Sequence, residues 1–415
     1  MNKIRNNIKL VDNYMLFIYS YLFLMPWNFF KAQMGLFTVV LFIWWIIKFK
    51  KVILLKLRDL IKFEPLIILI VFIIFTYIST LWSDNTIAAL SYINQFHKYY
   101  FLLIPILFTS MSIDEARNGL KIIILSFGTY AVFSLLIYLG IFTIEETRSN
   151  SNNPKGIMGY AIMSQYMAIG TIGAFFISLN SKCKNIKILF FIIMIMCFIG
   201  LFINNSRTAQ LALILTSITI LITHYRSYIF NLKVLSSILI IVIIIIYFLN
   251  ESGKINRYKS AYLEVDKIFT ENKYTGSFGL RVYFTKAGIE IIKDNFFFGT
   301  GPEDNVIFLK QIQESDINYK GRIFLSFHSE HIDILTRYGF IGYTLLVLSI
   351  VYLLYKLKDM KMDYFIGLSF FLVTFYISFA NATFSKKPIN YILVSVFVLL
   401  CVIAYNEYKE KKIIK

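Results

Sequence analysis

Charge is scarce in this chain. Asp, Glu, Lys and Arg make up 16% of its 415 residues, against about 25% in an average soluble domain. The three cysteines, Cys183, Cys197 and Cys401, fall at no paired or metal-like spacing. That leaves neither a disulfide framework nor a zinc pattern. The six prolines and 19 glycines gather into no linker, and no internal repeat is detectable. With 58% hydrophobic and 18% aromatic residues, the composition excludes a disordered chain, a coiled coil and an ordinary soluble enzyme.

What the chain has instead is long apolar runs. A helical span needs roughly 20 apolar residues. Twelve stretches approach or reach that length, near 13–30, 34–49, 64–82, 98–112, 119–142, 157–179, 187–204, 207–223, 232–250, 339–355, 364–382 and 388–405. In a bilayer core every backbone group must be satisfied internally, so helices are the natural solution. A β-barrel would show alternating polarity, not runs such as Ile238 to Leu249. The first stretch reads as a span that stays, not as a cleaved signal.

The formal net charge of +18 first suggests nucleic acid, but its distribution argues otherwise. With a cytoplasmic N-terminus, 23 basic residues fall in inner segments, 7 in short outer loops and 12 in one long outer loop. An inner excess of Lys and Arg is what orients spans. The expectation is therefore an even number of spans, both termini cytoplasmic and no nucleic-acid partner. The stretch from Lys48 to Lys62 is basic with interleaved Leu and Ile, the pattern of an amphipathic helix on an anionic leaflet. A plain cytoplasmic loop carrying orientation charges is the simpler reading and is preferred.

The expected division is spans one to nine in 1–250, a long outside loop in 251–338 and spans ten to twelve in 339–415. The loop balances 12 basic against 12 acidic residues and is too long for a plain connection. Apolar spacing from Tyr258 to Phe269 and from Gly279 to Ile292 is helix-like, so the loop is expected to fold as a small, mostly helical element. Two of the four histidines stand at its end, in Ser326-Phe327-His328-Ser329-Glu330-His331. Histidine titrates near neutrality and suits acid–base work. Ser326 or Ser329 is placed to cap the helix that follows, although an ordinary interfacial polar role fits the same spacing.

Two outside arginines run against the orientation trend. Arg207 follows Asn204-Asn205-Ser206, and Arg281 follows Gly279-Leu280. The planar guanidinium matches phosphate oxygens; an interfacial, snorkelling arginine is the plain alternative. Gly299-Thr300-Gly301-Pro302 lacks the Lys-Ser/Thr of a nucleotide loop and reads as a tight turn. His97-Lys98 reads as an interfacial anchor. No Asp/Glu cluster has metal-ligand spacing.

His328-Ser329, nine residues, Gly339, two residues and Gly342 fit the pattern H-[N/S/Q]-x9-G-x-x-[G/T/Y]. Ser206-Arg207-Thr208 precedes it, as does Leu280-Arg281 with Asn295 to Pro302. On these pieces, in this order, the chain resembles bacterial O-antigen ligases and the related O-antigen polymerases and protein O-glycosylases. The resemblance covers roughly residues 200–345; the N-terminal half matches only as hydrophobic spans.

The resemblance implies an all-α, GT-C-like polytopic membrane protein with about 12 transmembrane helices and one long, mostly helical periplasmic loop. It implies a metal-independent, inverting glycosyltransferase of the bacterial inner membrane, without cofactor. The glycan would pass from undecaprenyl pyrophosphate to an acceptor hydroxyl on lipid A–core oligosaccharide, at the periplasmic face. By the same resemblance Arg207 and Arg281 hold the pyrophosphate, and His328 is the base or orienting group for the acceptor. Ser329, His331, Tyr283, Lys286 and Glu303 are accessory candidates. Ser329 stands where the family more often has Asn, and His331 where it is usually apolar or aromatic. An O-antigen polymerase, joining the same donor to another lipid-linked repeat, is the closest alternative, and a protein O-glycosylase the third. A flippase or transporter is the alternative from another class, against which stand the few charges inside spans and the lack of a repeat.

Overall fold

The computed structural model describes residues 12–27, 33–204, 206–226, 255–271, 274, 276–316, 319, 321–384 and 386–414. Among them the regular structure is helical, and pairing of the β type is confined to the isolated bridges Ile144–Ser149 and Asn150–Asn153. The first helices are α1 (Asn13–Leu24), α2 (Gln33–Phe49), α3 (Ile53–Leu60), α4 (Glu64–Ile78, continued by a 3-10 turn to Trp82) and α5 (Thr86–Ser110). They are followed by α6 (Ile113–Tyr138), α7 (Tyr160–Asn180), α8 (Lys184–Ile203) and α9 (Arg207–His224). Then come α10 (Ile255–Glu271), α11 (Gly276–Asp294) and α12 (Asp304–Ser315), and finally α13 (Glu330–Leu357), α14 (Lys361–Ser378) and α15 (Lys387–Ile414).

Seven of the described helices are long and apolar enough to cross a membrane: α4 with its continuation, α6, α7, α8, α9, α13 and α15. Helices α1 and α2 are apolar but shorter, and α5 and α14 carry the fourth and eleventh apolar stretches. The expected span near 232–250 lies outside the described residues. The chain is a helical, multi-pass membrane protein.

Local signals set several helix starts. Ser112 and Glu115 close a capping box at α6, satisfying two end donors at once. Asn85 accepts from Ala88 N at 3.0 Å to start α5, and Pro65 sits in the first turn of α4, where its missing N–H costs nothing. The basic stretch 48–62 contains the short helix α3, which a cytoplasmic connection and a helix on the leaflet both accommodate. Leu54 and Leu55 are exposed on α3, while Lys56 donates to the carbonyl of Thr109 at 2.6 Å.

Helix α15 is the centre of the bundle. Every residue from Ile389 to Ala404 is buried, as expected of a helix that is apolar all round. The two ends of the bundle are built differently. At one end Arg117 at the start of α6 pairs with Asp363 at the start of α14 at 3.0 Å, and Lys356 and Lys409 meet Glu64 and Asp59 at 3.4 and 3.7 Å. The opposite end collects the α6–α7 loop, the turn before α9, the loop between α14 and α15, and α11.

Helix α13 is broken at Gly339, whose φ is 63° and ψ −168°. The segment before α12 fills the break. Thr300 N and Gly301 N donate to Thr336 O and Arg337 O at 2.8 and 3.1 Å, and Phe340 N and Ile341 N donate to Phe296 O and Phe297 O at 2.7 and 3.2 Å. Groups freed by the break are thus satisfied within the protein, as a spanning helix requires. A Cβ on Gly299 would lie 2.4 Å from the Arg337 carbonyl carbon, and one on Gly339 equally close to that of Phe297. The glycine pair at 299 and 301 forms a turn against backbone, in keeping with the tight-turn reading. His97 corrects one expectation. It is no interfacial anchor but is buried midway along α5, with its Nδ1 3.0 Å from Thr76 Oγ1.

Candidate active site

Arg207 is the first residue of α9, after extended Ser206. Its Nη2 donates to Ser277 Oγ at 3.3 Å. Ser277 lies in the first turn of α11, where the Glu264 carboxylate of α10 accepts from Phe278 N at 2.7 Å. An acceptor with negative charge favours that helix end. One turn further along, Arg281 donates from Nε to Ala380 O at 2.9 Å and from Nη1 to Ser277 O at 2.7 Å. Its guanidinium is thereby clamped between α11 and the loop joining α14 to α15. Burial, with Arg207 adding to it, pushes Arg281 down from the ordinary arginine range.

Both arginines line one cavity of about 490 Å³. Tyr160, Ser206 and Thr208 contribute from α7 and the start of α9, and Ser277 from α11. Asn152 and Asn153 of the α6–α7 loop and Asn381 of the α14–α15 loop complete the lining. Among the described lining residues there are two cations, hydroxyls and amides and no carboxylate, and the paired cations suit an anion with several oxygens.

His328 stands beside this cavity, not in its lining. Ser329 takes the capping role, accepting from Ile332 N at 3.5 Å and donating to Ser378 O at 3.1 Å. Ser326 instead accepts the His328 N–H at 3.2 Å. His328 has φ 52°, a left-handed conformation that costs about 1–3 kcal/mol and is often held at functional sites. Its ring lies 5.8 and 5.6 Å, centre to centre, from Phe284 and Phe324. Burial first, then Arg281 and Lys386, hold its pKa below the ordinary 6.5. That shift favours the neutral imidazole, the form able to take a proton.

The remaining candidates sit elsewhere. His331 faces α14, with Nε2 2.9 Å from Phe375 O and Nδ1 3.1 Å from Tyr343 OH. Tyr283 stacks on Tyr319 at 4.9 Å, and burial and Asp316 push its hydroxyl up. Lys286 bonds the Tyr274 hydroxyl and lies over that ring. Tyr283 belongs to a small second core with Phe284, Ile291 and Phe327. Glu303, before α12, is pushed up from the usual carboxylate range by burial. The structure thus gathers Arg207, Arg281 and His328, flanked by Ser329, and sets the other four apart.

Sequence reasoning missed Asn152, Asn153, Tyr160, Ser277 and Asn381, because the cavity is assembled from separate segments and these residues carry no motif. It also missed Lys386, whose half-buried ammonium is pushed down by burial while Glu330 opposes the shift. A buried cluster below the break in α13 was likewise unforeseen. Arg337 pairs with Asp333 at 3.1 Å and donates to Asn305 at 3.4 Å, with Tyr92 stacked beneath it. Among the described residues no three His, Cys, Asp or Glu side chains are gathered so as to hold a metal ion.

No curated protein matches the chain. Residues 190–347 match the family model described as O-Antigen ligase, a stretch running from α8 to beyond the Gly339 break. The match agrees with the resemblance read from the sequence, and the matched stretch carries Arg207, Arg281 and His328.

Proposed function

We propose that this protein is an O-antigen ligase-type glycosyltransferase. It takes a glycan from undecaprenyl pyrophosphate and transfers it to a hydroxyl of lipid A–core oligosaccharide. The observation that carries the reading is the meeting of Arg207 and Arg281, from two distant segments, in one polar cavity, with His328 close enough to Arg281 to feel its charge. As the bond from the anomeric carbon to the pyrophosphate breaks, negative charge grows on the leaving phosphate. Fixed guanidinium groups meet that charge without reorganisation. His328 accepts the acceptor hydroxyl's proton as its oxygen attacks the anomeric carbon. Attack opposite the leaving group inverts the anomeric centre, and no metal is required. The protein sits in the bacterial inner membrane with both termini cytoplasmic and the cavity periplasmic, in keeping with the 23 basic residues of the inner segments against 7 in short outer loops.

His328→Ala and Arg281→Ala proteins should reach the membrane in normal amounts. Transfer should fall by about 10²–10⁴-fold for the first and about 10²–10³-fold for the second. Full transfer by either variant, measured with lipid-linked donor, overturns the assignment. A deletion strain separates the related activities. Loss of all O-chains with accumulation of lipid-linked polymer is the ligase result, whereas a core bearing a single repeat identifies a polymerase.

A further inference from the structure

The arginine cavity has a second wall whose chemistry the pyrophosphate does not use. We propose that the Asn150–Asn153 turn of the α6–α7 loop, which lines the same cavity as Asn381, is the subsite for the sugar residue attached to the pyrophosphate. The turn is built to hold a shape. Asn150 Oδ1 accepts from both Asn152 N and Asn153 N, at 3.1 and 3.2 Å. Ser149 Oγ donates to Asn153 O at 3.2 Å and accepts from Gly156 N at 2.8 Å. The segment that follows is fastened to α6, where Ser134 Oγ donates to Pro154 O at 2.5 Å and Tyr130 OH to Lys155 O at 3.0 Å. Ser134 and Tyr130 are themselves fully buried.

Asn150 Oδ1 is thus engaged within the turn, and Asn152 and Asn153 line the cavity. Asn153 has its backbone N–H committed to Asn150 and its carbonyl to Asn150 N, Lys155 N and Ser149. What it offers a ligand is the carboxamide. Asn381 comes from the α14–α15 loop, whose Ala380 carbonyl already fixes Arg281. A carboxamide both donates and accepts, which suits sugar hydroxyl and acetamido groups. It makes no demand for charge on the sugar. The volume of about 490 Å³ lies within the range of small-ligand sites. The ligand class is thus an uncharged hydroxyl- or acetamido-bearing sugar, read next to the anion.

This inference rests on the arginines holding the pyrophosphate, and the test keeps the two apart. Full-length protein in lipid nanodiscs is assayed for binding of undecaprenyl pyrophosphate without glycan, and for transfer from the glycan-bearing donor. Asn152→Ala/Asn153→Ala should raise KM for the donor by about tenfold, leaving the affinity for undecaprenyl pyrophosphate unchanged. That unchanged affinity also reports an intact site. Asn150→Ala, which removes the turn's internal acceptor without removing a lining group, should reproduce the KM effect. An unchanged donor KM in the double variant overturns the subsite. So does an equal loss of affinity for both ligands. If Arg207→Ala and Arg281→Ala leave undecaprenyl pyrophosphate binding intact, the parent reading fails instead.

Discussion

At the scale of single residues, position decides what each polar side chain does. His328 and His331 are three residues apart, yet one faces Arg281 and the other hydrogen-bonds Phe375 O on α14. The separation follows from the cap at Ser329, since the helix begins only after His328. The His328 pKa lies below 6.5, through burial first and then Arg281 and Lys386. Glu330 is the nearby acid opposing Lys386. As a base His328 must be neutral, so the acid limb of the rate profile should lie below that of an ordinary histidine, the rate falling as the pH drops through the lowered value. The folded state binds this proton less readily than the unfolded one. Its contribution to stability is therefore complete above pH 6.5 and declines as the pH falls toward the folded pKa. Lys386→Met removes one repelling cation, and the acid limb of the pH–rate profile should move to higher pH. A profile that does not move would show that Lys386 does not act on His328.

At the scale of elements, the broken helix α13 and the turn at Gly299–Gly301 form one unit. The positive φ at 299 and 339 and the backbone contact leave no room for a side chain. Gly339→Ala or Gly299→Ala should cost at least about 1–3 kcal/mol from the backbone conformation alone, read as a lower melting temperature in detergent. The motif glycine at 339 was legible in the sequence as a motif. Its reason was not, because the partner backbone lies some forty residues away along the chain. The same unit holds the buried pair Asp333–Arg337, with side chains 4% and 7% exposed. Asp333→Ala leaves the guanidinium uncompensated and should cost about 3–5 kcal/mol. Replacing both partners with apolar residues should cost less than the two single changes summed, which a double-mutant cycle would measure.

At the scale of the whole molecule, the alternation of helices brings the α6–α7 loop, the start of α9, α11 and the α14–α15 loop to one end. Labelling can test which side that end faces. Cys183 is exposed in the turn between α7 and α8, at the opposite end, while Cys197 and Cys401 are buried. A membrane-impermeant maleimide should therefore miss Cys183 in cells whose inner membrane is intact. It should label Glu146→Cys in a Cys183→Ser background. The reverse pattern would overturn the orientation read from the 23 inner and 7 outer basic residues.

Hydrophobicity and charge are properties of short segments, so the sequence alone determined the helical, membrane-spanning class and the expected orientation. The three candidate residues were legible because their neighbours along the chain form recognisable patterns. The tertiary structure alone decided that α15 is central, that His97 is buried, that His331 faces away and that Lys386 approaches His328. It also decided that amides from two loops share a cavity with two arginines. Such contacts depend on the distance between segments far apart in the chain, and that distance is set by helix packing that no local pattern encodes.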